Sequence, residues 1–129
     1  MTHDHGHIVI QPHVSEFLAP MTLKKGDRVL VGELYVGPEG WPDWYLCSAS
    51  GLEPGYVPVQ ILDRHTDGSG TMLEDFSNRE LTVLKGEELY GKCQMNGWLW
   101  ATRISYDETG WVPLDNLGVN FPDLLPRKL

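Results

Sequence analysis

The sequence predicts an all-β chain in which two small barrels follow one another, and three observations carry that expectation. Short segments rich in Val, Ile, Leu and aromatic residues are separated by Gly, Pro, Asp and Asn, the punctuation of strands and turns. No segment sustains a helical period over the length that a globular helix needs. An ordered set of residues also occurs twice, and a chain of 129 residues has room for two very small domains.

The first copy carries Met21-Thr22-Leu23-Lys24-Lys25-Gly26-Asp27, then Trp44, then Gly55-Tyr56-Val57-Pro58 and Leu62. The second carries Leu81-Thr82-Val83-Leu84-Lys85-Gly86-Glu87, then Trp98, then Gly110-Trp111-Val112-Pro113 and Leu117. Trp precedes Pro by 14 positions in one copy and 15 in the other, whereas Gly precedes Trp by 18 and 12. The difference places an insertion in a surface loop of the first copy, where length changes are tolerated.

Within each copy the strands can be placed. Arg28 to Val31 and Trp44 to Cys47 have strand length and apolar content. In Trp98-Leu99-Trp100-Ala101-Thr102-Arg103-Ile104 both tryptophans point to one face and Leu99 to the other. Ser50 to Gly55 and Asp107 to Gly110 read as hairpin turns. The boundaries follow: a His-rich N-terminal tail over 1–7, domains over 8–64 and 71–118, and a C-terminal tail over 119–129. Between the domains, the polar 65–70 stretch, His65-Thr66-Asp67-Gly68-Ser69-Gly70, reads as a linker spanning about 13 Å as a coil.

Charge narrows the partners. Eighteen acidic against ten basic residues give a net charge of −8. No basic stripe is present to follow a phosphate backbone, so nucleic acid and anionic membrane surfaces are not expected, and a basic peptide is. No apolar run reaches the ~20 residues that span a bilayer, and the N-terminus lacks the pattern of a secretory leader. Cys47 and Cys93 fall in different copies, and an interior, reducing, cytoplasmic location with buried structural thiols is expected.

The doubled set resembles the Src-homology-3 (SH3) family. Its pattern is an Ala-Leu-Tyr-Asp-Tyr-like opening and a hydrophobic-Gly-Asp/Glu turn. A Trp follows at the start of a strand, then a Gly-aromatic-Val/Ile-Pro segment before a closing one-turn helix. Met72-Leu73-Glu74-Asp75-Phe76 sits where the second copy should open, and Val9-Ile10-Gln11-Pro12-His13 at the corresponding distance before Met21. The resemblance implies two SH3-like barrels in tandem, non-catalytic and without a cofactor, each holding a protein or peptide in a shallow aromatic groove. An extended proline-rich segment suits such a groove because its ordering costs little entropy. By position, the groove involves Trp44 and Pro58 in the first copy and Phe76, Trp98 and Pro113 in the second. Glu16, Asp75 and Glu80 are the carboxylates placed to meet a ligand arginine. The chain departs from the family at Gln11 and His13, at Glu74 and Phe76, and at Ile61 and Asn116, where tyrosines are usual.

Trp41, Trp100 and Trp111 read as packing residues. His3, His5 and His7, at a spacing of two, project from one side of an extended chain and offer imidazoles to a transition metal. A metal-handling protein is therefore one alternative. The other is a structural or oligomerising accessory whose barrel faces bury each other or a second chain.

Overall fold

The computed structural model describes residues 5–15 and 20–118, with the backbone alone for His5. The fold is all-β. The strands are β1 (His5–Ile8), β2 (Thr22–Leu23), β3 (Arg28–Leu34), β4 (Trp44–Ser48), β5 (Gly55–Pro58), β6 (Leu62–Arg64), β7 (Ser69–Met72), β8 (Phe76–Ser77), β9 (Glu88–Met95), β10 (Trp98–Arg103) and β11 (Glu108–Pro113). Two single turns of 3-10 helix, Val59–Ile61 and Leu114–Asn116, follow Pro58 and Pro113. Among the described residues no helix is long and apolar enough to cross a membrane.

The chain divides otherwise than its repeat implies. One compact unit is continuous over 20–79, and the other combines 5–15 with 80–118. The sequence reading ends the first domain at 64 and assigns 65–70 to a linker. Instead, Ser69–Met72 is strand β7, paired on one side with β3 and on the other with β6. Phe76 and Ser77 pair with Leu23 and Thr22. The expected N-terminal tail likewise contains β1, paired with β9 from His5↔Gly91 to Ile8↔Glu88. The cause is ordinary strand physics: Val9 and Met72 are apolar residues that need a core, and Val9 finds it in the distant 80–118 repeat, Met72 in the repeat just before it.

The continuous unit holds a five-stranded antiparallel sheet in the order β5-β4-β3-β7-β6, with β2 and β8 forming a separate ribbon. Its edge strands β5 and β6 are joined by three residues in a 3-10 turn. In a flat sheet those edges would lie about 19 Å apart, at ~4.8 Å per strand, yet such a turn advances only about 6 Å. The sheet therefore curls strongly. The discontinuous unit holds the sheet β1-β9-β10-β11. Its two ends also meet, through the Leu117↔Val9 bridge and the Gly118 amide donating to the Ile8 carbonyl at 2.7 Å. Its core comprises Val9, Leu81, Val83, Leu89, Leu99, Ala101, Val112 and Leu117.

The two units share one hydrogen-bond frame. Gly26 and Gly86 both sit at φ 93°, where a side chain would be strained, and close equivalent turns. Asp27 and Glu87 cap those turns by accepting from the Lys24 and Leu84 amides at 2.9 and 2.6 Å. Gly26 donates to the Met72 carbonyl and Gly86 to the Val9 carbonyl, while Leu73 donates to Ile61 and Ile10 to Asn116. Val9-to-His13 thus occupies, in the 80–118 repeat, the slot that Met72-to-Phe76 fills in the 20–64 repeat.

Arg103 cross-braces the discontinuous unit. Its guanidinium donates to both Glu87 oxygens at 2.9 Å and to Glu108 at 2.8 Å, and stacks over Tyr106 at 3.8 Å. Burial alone would raise the Glu87 carboxyl pKa, but hydrogen bonds from Arg103 and the Leu84 amide, with the Arg103 charge, outweigh it and lower the pKa.

Two outcomes test this description. A fragment spanning 20–79 will melt cooperatively by circular dichroism, whereas one spanning 8–64 will not, because it lacks β7 and β8. Because the folded-state pKa of Glu87 is depressed, its contribution is present above the unfolded value near ~4.3 and is lost as pH falls through the folded one. At neutral pH, Glu87→Gln should lower stability by about 1.5–3 kcal/mol. In urea titrations across pH, the two proteins should converge below about pH 4.

Candidate functional site

The Asn96-Gly97 pair, with φ of 51° and 94°, makes the tight turn that delivers Trp98 at the start of β10. Leu99 and Ala101 face the core, so Trp98 and Trp100 lie on the opposite face of the sheet. There Trp98 stands across from Pro113, and Trp100 across from Trp111 with ring centroids 5.0 Å apart. Pro113 ends the strand and leads into the 3-10 turn, where the Leu114 amide returns to the Gly97 carbonyl.

The opening segment of the chain forms one wall of this site. His13 meets the Trp98 indole edge-on at 5.7 Å, and its Nε2 is 2.9 Å from Glu80 Oε1. Both side chains are largely covered, at 15% and 12% exposure. Asn116 Nδ2 donates to the carbonyls of Gln11 and Pro12 at 3.1 and 3.0 Å. The departures from the SH3 pattern at His13 and Asn116 therefore come together in space, with Glu80 engaged by His13.

In the continuous unit Trp44 pairs across strands with Pro58, and the Val59 amide donates to the Asp43 carbonyl. Phe76 and Asp75, assigned above to the copy of Trp98, belong instead to this unit. Asp75 Oδ1 accepts from the Lys25 amide at 2.8 Å. The sequence reading leaves an indole beside a proline at the surface. The pairing is present twice, but Trp44 is 7% and Trp98 8% exposed, and Pro58 and Pro113 are fully buried. Phe76 is also buried. The five groove positions lie mostly beneath the surface, because cross-strand partners on a curled sheet shield each other.

Glu16 and His3 lie outside the described residues, as does the side chain of His5 and the C-terminal stretch 119–129. His7 is buried in β1 with Leu89 as its register partner. Among the described residues no group of three or more His, Cys, Asp or Glu could hold a metal ion.

A second aromatic cluster lies in the continuous unit. Tyr35 packs against Trp41 at 5.7 Å and meets Tyr56 edge-on at 5.3 Å, all three half-buried. Beside them Val36 is fully open to solvent. Trp41 is thus not simply interior packing. Tyr35 and Trp41 lie in the longer loop between β3 and β4, so the unequal Gly-to-Trp spacing was the signal that could have found them. The same loop carries Glu39, whose carboxyl is held below the usual range by a hydrogen bond from the Tyr35 hydroxyl and one from its own amide. Burial pushes the Cys47 thiol up to about 11. Cys93, expected to be buried, is exposed on β9, and partial desolvation still raises its pKa. Neither thiol is activated as a nucleophile.

No protein-family model matches the sequence, no curated protein matches it, and no solved structure matches the fold.

Burial changes what a tryptophan substitution reports. Trp44→Ala and Trp98→Ala should each cost about 3–5 kcal/mol, a large part of a small unit's stability. Urea unfolding should show this loss, and Trp→Phe at either position a markedly smaller one.

Proposed function

We propose that this chain is a non-catalytic binding protein made of two SH3-like barrels, recognising a protein or peptide ligand. The observation that carries the reading is the frame built twice: a curled sheet, a Gly-acid turn, a cross-strand Trp–Pro pair and a 3-10 turn directly after the proline. Folding one such frame serves stability, and keeping two of them in one chain serves a pair of sites. Two modules on one chain raise avidity by holding two epitopes at high effective concentration.

The groove of the continuous unit is built on Trp44, Pro58 and Phe76, and that of the discontinuous unit on Trp98 and Pro113. Their rings lie beneath the surface and set its shape, leaving ligand contact to the residues around them. The rims differ: Tyr35, Trp41 and Tyr56 line the first, and His13 with Asn116 the second. The preferred ligand is an extended segment carrying Arg or Lys, because the chain is net acidic. The loop between β3 and β4 contains two acids, Glu39 and Asp43, and no base, with Glu33 just before it. A cation that reaches the ring of Tyr35 or Trp41, both half-buried, also gains from the ring quadrupole.

The test is capture from cells of the source organism, read by mass spectrometry, with Tyr35→Ser and the Trp44→Phe/Trp98→Phe pair as controls. A specific partner should bind the native chain and drop by tenfold or more with both variants, each of which must first be shown to fold. Equal capture by the native chain and by both variants would remove these surfaces as the binding site.

A further inference from the structure

We draw no further inference here: the strongest candidate, the cluster of Tyr35, Trp41 and Tyr56 beside the Glu39 carboxylate at the loop between β3 and β4, belongs to the site already described, and nothing in the structure shows what covers it.

Discussion

Three strands, β9, β10 and β11, present Leu89, Leu99, Ala101 and Val112 on one face, and that face needs a cover. The cover is Val9 together with Leu81, Val83 and Leu117, with β1 extending the sheet. Small units of this size bury barely enough apolar surface to offset their chain entropy, so the loss of one strand is a loss of the unit. The equivalent demand in the other unit is met by Met72. Much else follows from these two insertions. They set the interleaved order of the chain, bring His13 to Trp98, and place Phe76 in the unit of Trp44 and Pro58.

The all-β class was legible because it depends on local signals: short apolar runs, turn residues and alternation. So were three of the strands, over Arg28 to Val31, Trp44 to Cys47 and Trp98 to Arg103, with Trp98 and Trp100 on one face. The start of Ser69–Met72, by contrast, reads as linker, and the Glu108 end of β11 as a turn. The repeat was legible too, and its turn glycines, Gly26 and Gly86, adopt the same conformation. What the residues could not show was which opening strand completes which body. Val9-to-His13 and Met72-to-Phe76 fit the same slot in pattern and length, and the family order assigns each to the repeat that follows it. The outcome is decided by long-range contacts that leave no periodic trace in sequence. Loop-closure entropy grows only slowly with separation, so distance along the chain opposes the observed pairing weakly.

The site shows a related division. The Trp–Pro pairs were identifiable from spacing, but their burial depends on sheet curvature and on neighbours from elsewhere in the chain. Tyr35 and Trp41 were obscured for the opposite reason. They sit in the loop by which the copies differ, so a search for what repeats passes over them. That loop gives one unit a rim of aromatic rings, while the other presents imidazole and amide groups.

The same chemistry explains why the strands do not trade places. In the slot of the discontinuous unit, His13 meets Glu80, and Asn116 holds the carbonyls of Gln11 and Pro12. Phe76 in that position would leave the largely covered Glu80 carboxylate facing a ring that offers it no hydrogen bond, and an uncompensated charge is costly to bury. In the other slot, Asn78 accepts from the Met21 amide at 2.6 Å and donates to its carbonyl at 3.2 Å, fixing the strand that carries Phe76. There the position equivalent to Asn116 is Ile61, which has no side-chain donor for the carbonyls of an incoming 9–13 strand. Apolar Val9 and Met72 make each strand able to fill a slot, and the polar partners decide which one it fills. Specificity between two nearly equivalent pairings rests on the few side chains that would be stranded by the wrong choice.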